Sequence, residues 1–252
     1  MRKIKALTIT LGSVIALAVY AQTDNLLELV QTATEQQLQE AIQKGTDLNI
    51  RDNYGRTLLM YAAMCNADSA VTSLLIKAGA DLNAGDNYGW TALMLAASGN
   101  SNPGVISTLL QAGANPNARD RYGQTPVMLA ACTYQHFGVI SALLQAGADL
   151  NARDRYGLTS LMYAACYNPS SDMVFALVKS GAAVNARDRE GLTPLMLAAW
   201  HNQNPEVVSM LLNAGADGRL KSFEGKTAFG YAQQNKKMNG TRQYQELNGA
   251  QF

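Results

Sequence analysis

One stretch of the chain carries the pattern that organises the rest. Val139, Ile140, Leu143 and Leu144 are apolar at the three- and four-residue spacing of a helix that buries one side. Ahead of them a shorter helix is predicted through Met128, Ala130 and Ala131, with paired alanines small enough to let a neighbouring helix come close. Thr125 before Pro126 reads as its start, because a threonine hydroxyl can accept the exposed N–H groups of a first turn and proline has no N–H to waste there. Gly147 stands where the second helix must end, in a left-handed conformation that favours glycine. The polar, glycine-punctuated run that follows suits a tight hairpin.

This unit recurs. Gly55, Gly89, Gly123, Gly157, Gly191 and Gly225 are 34 residues apart, and so are Gly45, Gly79, Gly113, Gly147, Gly181 and Gly215. Thr57, Thr91, Thr125, Thr159, Thr193 and Thr227 keep the same step. Pro194 repeats the threonine–proline start, while Leu58, Ala92 and Ser160 replace the proline elsewhere. A lone helix pair cannot bury its own apolar faces, so the units must stack. The expected fold is an all-α repeat, a solenoid of helix-turn-helix units with short β-hairpin tips, its five full units at 51–84, 85–118, 119–152, 153–186 and 187–220.

The pattern resembles the ankyrin repeat over about residues 25 to 235. The run Asp188-Arg189-Glu190-Gly191-Leu192-Thr193-Pro194-Leu195-Met196-Leu197-Ala198-Ala199 matches the family's D-x-x-G-x-T-P-L-x-x-A-A, and Gly79-Ala80-Asp81-Leu82-Asn83-Ala84 matches its G-A-D-x-N-A. Two features depart from the family. The period is 34 rather than 33, with the extra residue between the helices near Asn102-Pro103, Asn168-Pro169 and Asn204-Pro205. The frequent histidine after the leucine is methionine at Met60, Met94, Met128, Met162 and Met196.

The ends differ from the middle. Arg2, Lys3 and Lys5 precede an uncharged run from Ala6 to Tyr20, with Val19-Tyr20-Ala21 at the end. That is the layout of a secretory signal cut after Ala21, too short for a membrane span of about 20 residues. Residues 22–50 read as an N-terminal capping repeat, a helix pair of Leu26-Leu27-Leu29-Val30 and Leu38-Ala41-Ile42. Residues 221–252 read as a C-terminal capping repeat that fades into a polar tail. The opening cap holds Asp24, Glu28, Glu35, Glu40 and Asp47 against Lys44, whereas the closing one holds Lys221, Lys226, Lys236, Lys237 and Arg242. An acidic start and a basic end could pair head to tail; soluble caps on a monomer are the simpler expectation.

Composition narrows the chemistry. Hydrophobic residues are 48% of the 252, ample for a core, and the formal net charge is +1. Losing Arg2, Lys3 and Lys5 with the signal leaves 17 basic against 19 acidic residues, so nothing drives nucleic-acid binding. Equivalent cysteines Cys132 and Cys166 sit one helix spacing apart, roughly 8–10 Å and beyond disulfide reach, and Cys65 lies two units from Cys132, so no disulfide is expected. The same step separates the methionines, which therefore read as core rather than a copper ladder. His136 and His201 fall in non-adjacent units. No nucleophilic triad, phosphate-cradling loop or paired-carboxylate motif rises above the repeat, so no catalytic residue, metal site or cofactor is expected.

What remains is a surface. The resemblance implies that partners are gripped by the hairpin tips and by the concave face of the first helices. Carried onto this chain, the tip candidates are Tyr54, Arg56, Tyr88, Trp90, Arg121, Tyr122, Arg155, Tyr156 and Arg189, and the helix-end candidates are Tyr134, Tyr167, Trp200 and His201. Tyr, Trp and Arg are the side chains that dominate interface energies. A structural alternative is that each tip Arg pairs with a neighbouring Asp120, Asp154 or Asp188 and that the tyrosines pack between tips. The expected function is a non-catalytic module presenting a rigid concave surface to a protein partner in the periplasm. The competing expectation is an inhibitor or immunity protein that blocks a periplasmic enzyme or toxin.

Overall fold

A computed structural model describes residue 27 and residues 29–100, 102–133 and 137–252. The signal-like segment, the first helix start of the N-terminal cap, Tyr134 and His136 lie outside these described residues. Among the described residues thirteen helices follow one another. Helix α1 (Glu35–Gln43) belongs to the N-terminal cap. The five full units contribute the pairs α2 (Leu58–Cys65) and α3 (Ser69–Lys77), α4 (Ala92–Gly99) and α5 (Pro103–Gln111), α6 (Pro126–Cys132) and α7 (Phe137–Gln145), α8 (Ser160–Tyr167) and α9 (Ser171–Lys179), and α10 (Pro194–His201) and α11 (Glu206–Asn213). Helices α12 (Ala228–Ala232) and α13 (Arg242–Ala250) close the chain. No helix among the described residues is long and apolar enough to cross a membrane.

The two helices of a unit are built differently because they face different surroundings. A first helix is sandwiched between the first helices of its neighbours, so nearly every residue is apolar or small, and Ala62, Ala63, Ala96, Ala97, Ala130, Ala131, Ala164, Ala165, Ala198 and Ala199 are all 0% exposed. The methionines join that core: Met60, Met94, Met128, Met162 and Met196 are at most 1% exposed. A second helix covers one flank and keeps a solvated side, so only the Val139, Ile140 and Leu143 type of position is buried.

Thr57, Thr91, Thr159 and Thr193 cap the first helices, their Oγ1 atoms accepting the N–H three residues on at 3.3–3.4 Å. Thr125, the expected example, does not; its hydroxyl is buried without a partner. Proline is not the reason, since Thr193 caps ahead of Pro194. The φ of −113° at Thr125 falls outside the −96° to −102° of the four that cap.

Polar side chains stitch the units together. Asn100 Nδ2 donates to Ala63 O at 2.8 Å and Asn66 O at 3.1 Å in the preceding unit, while its Oδ1 accepts Asn102 N–H. Asn66, Asn168, Asn202 and Asn235 do the same, so a spine of buried amides fills the turns between first and second helices. A second series, Asn49, Asn83, Asn117, Asn151 and Asn185, accepts a backbone N–H from the next unit at 2.7–3.0 Å.

The tips contain no strand among the described residues, which corrects the expected β-hairpins. Each tip closes with bonds such as Asp120 N–H to Gln124 O and Gly123 N–H to Asp120 O, then gives one bond to the adjacent tip, as Arg121 N–H to Tyr88 O at 2.8 Å. One bond per neighbour is too short a run to count as a ladder.

The C-terminal segment is more ordered than its polar composition suggests. Met238 and Leu247 are 0% and 1% exposed, and α13 ties back to α11 through Gln243 Nε2 to Glu206 and Ser209 Oγ to Glu246. Its basic character is also partly cancelled, because Lys226 pairs with Glu224 and Arg242 with Glu246.

Candidate protein-docking face

The tip of each unit is shaped by its aspartate. Asp120 Oδ1 accepts the N–H groups of Tyr122 and Gln124 at 2.9 and 2.8 Å, which folds the turn and throws Tyr122 outward. Asp52, Asp86, Asp154 and Asp188 repeat this. Tyr54, Tyr88, Tyr122 and Tyr156 therefore stand at equivalent rungs, 59%, 43%, 42% and 60% exposed. Glycine follows each because its φ is positive and the next tip is close: a Cβ on Gly157 would lie 3.0 Å from Arg189 N.

The tip arginines do not pair with Asp120, Asp154 or Asp188 among the described residues. Arg51, Arg119, Arg153 and Arg187 instead reach the carbonyls of Gly85, Arg153, Arg187 and Lys221 in the next unit. Arg56 alone approaches a tip acid, its Nε 3.7 Å from Asp86. The remaining candidates lie at the surface: Arg121 sits over Tyr88 and Tyr122 at 4.7 and 5.5 Å, and Arg155 and Arg189 are exposed.

The two tryptophans line different grooves. Trp90 lines a groove of about 300 Å³ with Arg56, Tyr88 and Tyr122, and its half-buried indole donates to Asp120 Oδ2 at 3.1 Å. Trp200 lines a second groove of about 270 Å³ with Tyr156, Tyr167, Arg189 and His201. There Trp200 stacks on His201 at 4.3 Å and leans on Tyr231 at 4.9 Å. Tyr167 is 61% exposed at the rim, tilted against Tyr163. Phe223, 76% exposed, escaped the sequence reading because it follows the apparent fading of the repeat; its N–H bonds Glu190 O, continuing the tip series.

Reactive character is low at the groups that could carry it. Burial pushes the Cys132 thiol up to about 12 and the Cys166 thiol up to about 11, far from the thiolate a nucleophile needs at neutral pH. Cys65, Cys132 and Cys166 are unbridged. Burial lowers the pKa of His201, favouring the uncharged ring. No group of three or more His, Cys, Asp or Glu side chains gathers at metal-binding range among the described residues.

The stacked pairs, turned-out tips and shared first-helix core define a solenoid of helical repeats. The family comparison is consistent along the chain: a family described as ankyrin repeats (3 copies) matches residues 17–120 and 100–188, and one described as ankyrin repeats (many copies) matches residues 177–232. The chain belongs to the ankyrin repeat family. No curated protein matches it. Ankyrin repeats are generally protein–protein interaction modules, which suggests a protein partner.

Proposed function

We propose that the mature chain is a non-catalytic binding module that docks a protein partner in the periplasm on its tips and inner helix ends. The observation that carries this reading is the groove between the fourth and fifth units, where exposed Tyr156 and Tyr167 flank half-buried Trp200 on tips joined by the Arg189 N–H to Tyr156 O bond. A surface already held in place loses little freedom on binding. The periplasmic address rests on the layout of residues 1–21.

Substituting Trp90 or Trp200 would disturb packing as well as docking, because both are half buried. Tyr167→Ala and Tyr156→Ala separate the two effects, since both rings are mostly exposed. The mature chain is used to capture partners from periplasmic extract, and the affinity of the identified partner is measured. The double variant should weaken it at least tenfold while the melting curve stays within experimental error. Unchanged affinity would remove this face from the proposal.

A further inference from the structure

The repeat contains its own controls for the outer oxygen of each tip aspartate. Asp52 Oδ2 receives the Tyr61 hydroxyl at 2.7 Å. Asp86 Oδ2 faces Arg56, and Asp120 Oδ2 receives the Trp90 indole N–H. Asp154 Oδ2 receives the Tyr163 hydroxyl at 2.8 Å, itself bonded by Gln124 at 2.6 Å. In each case the group facing that oxygen, a hydrogen-bond donor or, for Asp86, the Arg56 guanidinium at 3.7 Å, comes from one of two positions: the residue after the preceding tip's glycine, or the fourth residue of the unit's own first helix.

In the fifth unit both positions are apolar. Leu158 stands where Arg56, Trp90 and Gln124 stand, and Leu197 stands where Tyr61 and Tyr163 stand. Among the described residues Asp188 Oδ2 has neither a donor nor a facing cation, while its Oδ1 still holds the N–H groups of Glu190 and Leu192. The space left is the groove of about 270 Å³, with Leu158 and Leu197 in its wall and Asp188, Glu190, Tyr167 and Trp200 around it. Arg189 also lines it, offsetting one of the two acids, and burial of His201 disfavours its charged form.

Resting on the docking reading above, we infer that this groove receives an arginine side chain from the protein partner. The guanidinium would bond Asp188 Oδ2, and its stem and flat face would lie on Tyr167 and Trp200. The first two tips show the bound arrangement made within the chain: Arg56 faces Asp86 and lies 5.6 Å from the centre of the Tyr54 ring. A planar cation that both pairs with a carboxylate and stacks on aromatic rings fits this lining better than a compact ammonium.

The test uses acetyl-Gly-Arg-Gly-amide as the probe on the mature chain, following the Trp200 indole N–H by NMR, with Trp90→Phe to identify the second indole signal. The arginine peptide should shift the Trp200 signal saturably. The same peptide with citrulline, a neutral isostere, should bind at least tenfold more weakly, and the lysine peptide several-fold more weakly. Asp188→Asn keeps the Oδ1 acceptor that shapes the tip and should cost at least tenfold. Leu158→Arg supplies the guanidinium from within, as Arg56 does, and should abolish probe binding while leaving the thermal melt intact. Equal binding of the citrulline peptide, or full probe binding by Leu158→Arg, overturns the inference. A captured partner that needs Tyr167 yet ignores Asp188→Asn and Leu158→Arg would leave the docking face standing and remove only the arginine pocket.

Discussion

A single amide decides how tightly two units are joined. Asn100 is 3% exposed and bonds three backbone groups, using both amide hydrogens and one lone pair of its oxygen, two of the partners being in the preceding unit. Asn100→Ala would strand two buried carbonyls and one N–H, each costly to leave unmet. A loss of about 2–3 kcal/mol is expected from urea denaturation at unchanged slope. A loss below about 0.5 kcal/mol would mean water takes over the amide's bonds. Asp188 illustrates the opposite case, a polar atom whose in-chain partner is missing at a place open enough for a visitor.

At the level of the element, glycines in similar conformations do different work. Gly147 ends α7 at φ +88° with open space where a Cβ would sit, whereas Gly157 turns a tip at φ +85° with Arg189 N 3.0 Å and Asp188 Cα 3.2 Å from that position. Gly147→Ala should cost about 1–2 kcal/mol, the strain of a left-handed alanine. Gly157→Ala carries that strain and a backbone collision, so its urea midpoint should fall clearly further; equal midpoints would mean the tips yield freely. The helices themselves were legible in the sequence because apolar spacing, threonine starts and glycine ends all keep one period. The hydrogen bonds between units were not. Asn66, Asn100, Asn168 and Asn202 fall on the 34-residue step, interrupted by Tyr134, but an asparagine in a turn looks the same whether it bonds its own loop or the neighbouring unit. The tip arginines misled for the same reason: an adjacent aspartate in sequence suggested an ion pair, and the aspartate was already committed to the turn. Of the docking candidates, the exposed tyrosines could be anticipated from the tip rhythm, while the burial of Trp90 depended on a carboxylate 30 residues away.

Across the whole molecule, each unit touches only its neighbours, so stability should be lost locally from the ends. Helix α13 is the outermost cover of the C-terminal side, burying Leu247 and holding Glu206 and Ser209 of α11. Removing residues 239–252 should speed hydrogen exchange across 206–232 while residues 58–111 keep their protection. Uniform loss of protection throughout would contradict nearest-neighbour coupling.

Gly85 occupies the place of Arg51, Arg119, Arg153 and Arg187, so the side-chain strut from each tip to the next is absent between the second and third units. The indole of Trp90 crosses that same seam and is a softer brace than a guanidinium locked on a carbonyl. Pulled or bent, the solenoid should yield first at that seam, which runs through the groove lined by Trp90 and Tyr122, while the groove at Trp200, between the fourth and fifth units, keeps its shape.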